Sequence, residues 1–276
     1  MEVIRGAAAG LRIPAQPSPW LAPLPDALLL RDLPAPGGQP GTSGPPGAGR
    51  APIPFGLIDL PGLQRQQPAV IDLDAIGHLM AAGAPRSGRS QLLRTLAAAV
   101  AACSSCADAH LYGLDCGNGA LLPLAGLPHC GAVVTRTQDE RAARLLTRLA
   151  AELTRRQDLL ASGGFAQISE QRAPAGPGDR LPHLLVLLDR WEGFVTTLGE
   201  AGGALTDVIT RILAEGASAG IHLVMTGDRS LLAGRLRPAG TGPLWALGRP
   251  DRDRRGPWRI RRSAARSDRP GDGGLS

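Results

Sequence analysis

The sequence contains no lysine, so all of its basic residues are arginine. This bias fits a GC-rich coding sequence better than a chemical requirement, and arginine where another protein carries lysine could therefore reflect drift. Aromatic residues make up only 3% of the chain, so its core must consist mainly of Leu, Val and Ala. No apolar run approaches the roughly 20 residues needed to cross a bilayer, and no secretory leader is visible. We therefore expect a cytoplasmic domain without a membrane segment, with attachment to the inner face of the membrane through other domains or subunits left open.

Cysteine is also scarce, with four residues at Cys103, Cys106, Cys116 and Cys130. The first two form a C-x-x-C pair, but no second pair with zinc-ligand spacing follows. Buried or incidental thiols are therefore expected, and a metal or redox role is the alternative.

The positive charge is confined to one end of the chain. The net charge is +6, and residues 237–276 alone carry 10 Arg and 4 Asp, which leaves residues 1–236 neutral. A nucleic-acid role inferred from overall charge would therefore rest on the tail.

Proline and glycine divide the chain into three parts. Residues 1–53 are rich in both and read as a linker, residues 54–236 show short apolar runs alternating with segments of helical period, and residues 237–276 read as a disordered basic tail. The alternation predicts an α/β fold with a mostly parallel central sheet flanked by helices. Strands are predicted near 78–82, 110–115, 132–135, 184–189 and 221–226, and helices near 90–102, 138–160 and 205–215. Residues 163–181 are predicted to form a surface loop.

The strongest motif lies between the first predicted strand and the first predicted helix, where G-A-P-R-S-G-R-S follows the pattern of a phosphate-binding loop. Arg89 stands where that pattern has lysine, and its planar guanidinium meets phosphate with a different geometry. Ser90 would supply a hydroxyl to Mg²⁺. The predicted nucleotide-binding residues are Gly83, Pro85, Arg86, Ser87, Gly88, Arg89, Ser90 and Gln91. A glycine-rich turn without a ligand is the alternative.

Two further strands end in residues suited to phosphate chemistry. Asp189 closes an apolar strand and would hold Mg²⁺ together with Ser90. In active phosphate-loop enzymes of the additional-strand class, a glutamate follows this aspartate and positions the attacking water. Here Arg190 follows, and Glu192 is a candidate substitute for that glutamate. Thr226 ends another strand and is either a γ-phosphate sensor or merely the strand end. The predicted catalytic residues are Asp189, Glu192 and Thr226.

Taken together, the loop, the Asp189 strand and the GIHLVMTGDR strand resemble, in order and spacing, the FtsK/SpoIIIE domains. This RecA-like P-loop group includes DNA translocases and the EccC motors of type VII secretion, and LYGLDCGNGALLPLAGLPHCGAVVTR looks most like the actinobacterial EccC-like members. The resemblance covers residues 54–236. It implies ATP and Mg²⁺ as cofactors, other FtsK-like domains in a ring or tandem array as partners, and DNA or a secreted protein as substrate.

Family motors carry lysine where this chain has Arg89, an acidic residue where it has Arg190, and often glutamine where it has Gly227. With these departures the chain resembles a degenerate copy, with weak or absent hydrolysis. The chain would then be an ATP-binding part of a translocase, or alternatively a docking module without enzymatic activity. The family domain should continue beyond Thr226 with further strands, so the basic tail suggests truncation or a shifted reading frame.

Overall fold

A computed structural model describes residues 6–7, 10–12, 21–25, 27–33, 52–176, 178–198 and 203–233, together with the backbone of 244–248 and 259–262. Most of the predicted linker and basic tail lies outside these residues. A short 3₁₀ turn, Leu30–Asp32, lies within the predicted linker.

The fold is built on a seven-stranded sheet and a separate two-stranded hairpin. The hairpin consists of β1 (Ile53–Leu60) and β2 (Arg65–Ile71), which pair antiparallel. The remaining strands are β3 (Leu79–Gly83), β4 (Ala109–Asp115), β5 (Cys130–Thr135), β6 (His183–Asp189), β7 (Ile221–Gly227), β8 (Leu244–Gly248) and β9 (Arg259–Arg262).

Five strands in the order β5-β4-β6-β7-β3 run parallel, as the sequence predicts. β8 adds parallel to β3, and β9 adds antiparallel to β8. The sequence pattern predicts neither β8 nor β9, which lie inside the range expected to be disordered. Two short strands that follow β7 in the chain thus extend the sheet on the β3 side.

Six α-helices lie between Arg89 and Ala233: α1 (Arg89–Cys103), α2 (Asp139–Ser162), α3 (Ile168–Arg172), α4 (Trp191–Thr197), α5 (Ala204–Glu215) and α6 (Ser230–Ala233). The three long helices, α1, α2 and α5, were predicted from the sequence. α3 lies within the segment predicted to be a loop, which is a correction to that prediction.

The core has two layers, one on each face of the sheet. Leu184, Val186 and Leu188 of β6 pack with α2 and α5, whereas the alternating Leu185 and Leu187 pack with α1 and the hairpin. This alternation follows from the two-residue period of a strand. Since helices cover both faces, the strands are apolar throughout, and their carboxyl ends meet at one edge, where ligands bind in open α/β folds.

Candidate nucleotide site

The predicted phosphate loop connects β3 to α1 and forms a compact turn. Gly88 has a φ of 82° at the N-cap of α1, a conformation that glycine adopts without the strain that a Cβ would cause. Arg86 also lies in the left-handed region, with a φ of 63°. The Ser87 N–H donates to the Ala84 carbonyl over 3.1 Å. The turn therefore directs the amino end of a 15-residue helix towards the carboxyl edge of the sheet, where its partial positive charge favours an anion.

Ser87 has a buried hydroxyl inside this loop. The residue is 1% exposed, and its Oγ has no hydrogen-bond partner among the described residues. A buried polar group without a partner costs about 1–3 kcal/mol. An acceptor such as a phosphate oxygen would satisfy this hydroxyl, so the loop fits an anionic ligand.

Ser90, Asp189 and Thr226 form a hydrogen-bonded chain, although β6 and β7 are distant from the loop in sequence. Ser90 Oγ donates to Asp189 Oδ2 over 2.7 Å, and Thr226 Oγ1 donates to Asp189 Oδ1 over 2.8 Å. Asp189 is fully buried, so both of its carboxylate oxygens depend on these hydroxyls. The structure therefore brings together the three residues predicted to lie around Mg²⁺ and the γ-phosphate. Thr226 also accepts the Arg190 N–H over 3.2 Å.

Arg89 and Glu192 form an ion pair at the same edge. Arg89 Nη1 lies 2.8 Å from Glu192 Oε1, and the arginine is only 7% exposed. The second carboxylate oxygen, Oε2, accepts the Asp228 N–H over 3.2 Å. Both of the residues expected to act on phosphate and water are therefore engaged with each other.

Arg190 adopts the left-handed conformation, with a φ of 64°, at the N-cap of α4. Its side chain lies against the turn after β4, where a Cβ added to Gly117 would come within 3.0 Å of Arg190 Nε. Glycine at this position leaves room for the arginine beside Asp189.

The remaining predicted loop residues, Pro85, Arg86 and Gln91, are exposed at the rim. Gln91 Nε2 donates to Thr95 Oγ1 over 3.4 Å, so this side chain lies along α1. Gly83 ends β3 and begins the turn.

The sequence interpretation missed Asp115, which organises the neighbouring loop. Its carboxylate accepts N–H groups from Gly117 at 2.9 Å, Gly119 at 3.3 Å and Leu121 at 2.7 Å. An aspartate at a strand end followed by two closely spaced glycines is the signal that could have revealed this turn.

Cys116, also in that loop, donates its backbone N–H to the Asp189 carbonyl over 3.2 Å. Burial, reinforced by the nearby carboxylates of Asp115 and Asp189, raises the pKa of its thiol to about 12. Cys103 and Cys106 are exposed, and no group of three or more potential metal-binding side chains occurs in the described part of the chain.

Comparison with known proteins identifies the family. A sequence model of the FtsK/SpoIIIE family matches residues 52–232. The chain belongs to this family. Membership implies nucleotide binding, in agreement with a phosphate loop at the carboxyl edge of a parallel sheet.

Several similar proteins belong to type VII secretion systems. The ESX-4 secretion system protein EccC4 of Mycobacterium tuberculosis is 30% identical over 223 residues, covering 78% of this chain and 17% of that protein. The ESX secretion system protein EccC of Thermomonospora curvata is 33% identical, covering 66% of this chain and 14% of that protein. The chain thus spans less than a fifth of either relative.

Solved structures of family members share the fold. ATPases 2 and 3 of Thermomonospora curvata EccC, in complex with a signal sequence peptide, align with a TM-score of 0.68 at 30% identity, covering 83% of this chain and 42% of that one. ATPases 2 and 3 of EssC from Geobacillus thermodenitrificans align with a TM-score of 0.66 at 25% identity, covering 82% and 40%. The predicted α/β architecture is therefore confirmed. Within the described residues, no helix is long and apolar enough to span a membrane.

Proposed function

We propose that this chain is the ATP-binding part of a type VII secretion translocase, and that it hydrolyses ATP weakly or not at all. The observation that carries the proposal is the 2.7 Å contact between Ser90 and Asp189. It joins a hydroxyl at the start of α1 to a buried carboxylate at the end of β6, and these are the oxygen ligands that Mg²⁺ takes in phosphate-loop proteins.

Different groups of the site would bind the phosphates and the Mg²⁺ ion. The backbone N–H groups of Gly88, Arg89 and Ser90 and the Ser87 hydroxyl would donate to phosphate oxygens, and Ser90 and Asp189 would hold Mg²⁺ directly or through water. The bound Mg²⁺ would neutralise phosphate charge. Thr226 would keep the Asp189 carboxylate oriented through its 2.8 Å hydrogen bond.

Weak hydrolysis is supported by the surroundings of Arg89, Glu192 and Arg190. Arg89 directs Nη1 at Glu192, so a phosphate must compete with a buried carboxylate for this cation. Glu192 in turn directs its two oxygens at Arg89 and the Asp228 N–H, so a water must compete with these donors for the carboxylate. Arg190 places a guanidinium, rather than a carboxylate, beside Asp189.

A secreted protein is a better-supported substrate than DNA. The relatives are named as secretion proteins, and one related structure contains a signal sequence peptide. Residues 1–236 are neutral, so the described domain lacks the excess positive charge on which DNA binding depends. The related structures carry ATPases in series, which supports a tandem array or ring.

The test is a titration of the full chain with a fluorescent ATP analogue in the presence and absence of Mg²⁺. We expect saturable, Mg²⁺-dependent binding that Gly88→Asp abolishes, because the carboxylate would fill and repel the phosphate cradle. Gly62→Asp is the matched control, since nothing lies within 4 Å of a Cβ added there. Absence of saturable binding in the unmodified, folded chain would exclude the proposal.

The Arg89–Glu192 pair also favours a second candidate, a docking module that retains the fold without nucleotide. The pair neutralises the central cation of the site internally. Under this alternative, the folded chain would bind no nucleotide, and its association with a neighbouring ATPase domain would survive Gly88→Asp.

A further inference from the structure

A groove lies between α2 and the open edge of the sheet, away from the nucleotide site. It has a volume of about 780 Å³. Its sheet side is formed by residues of β4, β5 and β6 that precede the carboxyl ends of these strands, where the nucleotide site lies. It is also on the sheet face opposite α1, because α2 packs in the other core layer. No residue assigned to nucleotide binding lines it.

One wall of the groove is strongly basic. Five arginines of α2 line it together with a single acidic residue, Glu152. The arginines are Arg141, Arg144, Arg148, Arg155 and Arg156. Most recur at spacings of three, four and seven residues, which places them along one side of the helix.

The acidic residues near this wall neutralise it only in part. Glu152 is held by Arg155 and Arg156, each with a shortest contact of 2.7 Å, and Glu140 lies 3.3 Å from Arg144 in an exposed pair. Within the described residues, Arg141 and Arg148 make no ion pair, and both are exposed. Since residues 1–236 are neutral overall, the concentration of positive charge here is a local feature rather than a consequence of composition.

The floor of the groove is apolar. It is formed by side chains from three strands and from α2: Tyr112, Ala132, Val134, Leu145, Leu149 and Leu184. Tyr112, the only tyrosine of the sequence, lies over Gly131, where an added Cβ would come within 2.6 Å of the ring. Glycine at this position therefore leaves the ring flat along the floor.

The groove borders a free strand edge. In the described part of the chain, β5 pairs only with β4, and its residues Gly131, Ala132 and Val134 line the groove. An unpaired edge offers backbone N–H and C=O groups to an extended peptide.

We propose that this groove binds an acidic segment of a partner polypeptide in which apolar side chains alternate with carboxylates. Carboxylates would pair with Arg141 and Arg148, and the apolar side chains would cover the floor beside Tyr112. A polypeptide fits better than a nucleic acid, because the floor is aliphatic with a single aromatic ring and the free β5 edge matches peptide backbone. The site requires no nucleotide, so it stands apart from the ATP-binding proposal.

The test measures fluorescence anisotropy of a labelled synthetic peptide of alternating Glu and Leu, about twelve residues long so that it spans the groove at about 3.3 Å per residue. We expect the double variant Arg141→Glu, Arg148→Glu to raise Kd at least about tenfold through lost pairing and new repulsion. The control, Arg65→Glu with Arg94→Glu, makes the same change of charge at exposed sites that do not line the groove and should alter Kd less than about twofold. Circular dichroism and urea unfolding verify that both variants are folded.

Two further peptides separate the contributions of the wall and the floor. Replacing Glu by Gln should abolish binding by removing the carboxylates, and replacing Leu by Ser should weaken it by removing the floor contacts. Equal Kd values for both double variants, or equally tight binding of the Gln peptide, would overturn the proposal. Tighter binding of an oligothymidylate of equal charge, lost in the groove variant, would overturn it in favour of a nucleic-acid site.

Discussion

Arg89 and Glu192 face each other at 2.8 Å across the entrance to the phosphate loop, with the arginine almost fully buried. Their positions differ by 103 residues, and the pair exists because α1 and α4 both begin at the carboxyl edge of the sheet. A buried cation must be paired, and here the partner is the carboxylate that would otherwise be available to water. The ion pair therefore sets both the affinity and the activity of the proposed nucleotide site.

Removing the carboxylate should strengthen nucleotide binding. Glu192→Gln leaves Arg89 without its anionic partner, so that a phosphate group becomes the best available counter-ion. We expect the Kd for the Mg²⁺-bound ATP analogue to fall about tenfold, equivalent to about 1.4 kcal/mol. The measurement is the fluorescence titration described above.

Glu215→Gln is the control for that substitution, because it breaks an exposed 3.2 Å pair with Arg211 far from the loop. An unchanged Kd in Glu192→Gln would mean that Arg89 does not act on phosphate.

Restoring the family residues should restore turnover. Arg89→Lys places a compact ammonium in the loop, and Arg190→Glu places a carboxylate next to Asp189. We expect phosphate release by the double variant to exceed that of the unmodified chain by at least about tenfold, with each single change giving less, because the two groups act on the same transition state.

The control for turnover adds Asp189→Asn to the double variant, which should return phosphate release to background. Turnover that persists without Asp189 would indicate a contaminating ATPase, and a double variant as inactive as the parent would show that other positions block hydrolysis.

The central strands could be predicted from the sequence because helices cover both faces of the sheet. β3 was expected near 78–82 and is found at Leu79–Gly83, and β7 was expected near 221–226 and is found at Ile221–Gly227. Both strands are mainly apolar, for which burial on two faces is the physical reason.

The hairpin was not predicted, because its pattern is weak. β1 contains Pro54 and Gly56, β2 contains Pro68, and both strands are only partly buried. Proline and glycine usually interrupt strands. They are tolerated here because both strands of a two-stranded sheet are edge strands.

The proximity of the candidate residues could be predicted from the sequence, but their contacts could not. Ser90 and Asp189 were expected to share Mg²⁺ and Thr226 to end a strand beside the loop, and the carboxyl ends of the parallel strands do meet there. The pairing of Arg89 with Glu192 depends on the left-handed turn at Arg190, which sets the start of α4, and a pattern of residue types does not encode that angle.

Gly220 should be far less tolerant of substitution than Gly164, although both have a φ of 72°. A Cβ at Gly220 would overlap Ile168 Cδ1, whereas nothing lies within 4 Å of a Cβ at Gly164. Gly164→Ala should cost about 1 kcal/mol of unfolding free energy from backbone strain alone. Gly220→Ala should cost about 3 kcal/mol, since crowding adds to the same strain. Urea unfolding of the two variants measures the difference, and equal costs would show that Ile168 moves aside freely.

The stability of the chain should fall between pH 7.5 and pH 5, because two buried histidines resist protonation. Burial lowers the pKa of His222 to about 3, with the neighbouring His183 adding to the effect, and burial lowers the pKa of His78 to about 4. His222 Nδ1 donates to the Gly77 carbonyl over 2.9 Å, its Nε2 lies 3.1 Å from His183 Nδ1, and the other ring nitrogen of His183 lies 3.1 Å from Asp74 Oδ1. His78 Nδ1 accepts the Leu223 N–H over 3.0 Å, which a doubly protonated ring could not do. The unfolded chain binds protons as pH falls through 6.5 while the folded chain does not. The stabilisation is therefore complete above pH 6.5 and is lost progressively below it.

At pH 5, His78 and His222 should each lower the free energy of unfolding by roughly 2 kcal/mol relative to its value at neutral pH. Glu152 does not contribute in this window, since hydrogen bonds from Arg155 and Arg156 lower its pKa to about 2 and its contribution is lost only below about pH 4.5. His222→Gln should reduce the pH dependence by roughly 2 kcal/mol even if it lowers stability at both values. Urea unfolding at the two pH values tests this, and a dependence equally large in His222→Gln would mean that other groups are responsible for the loss.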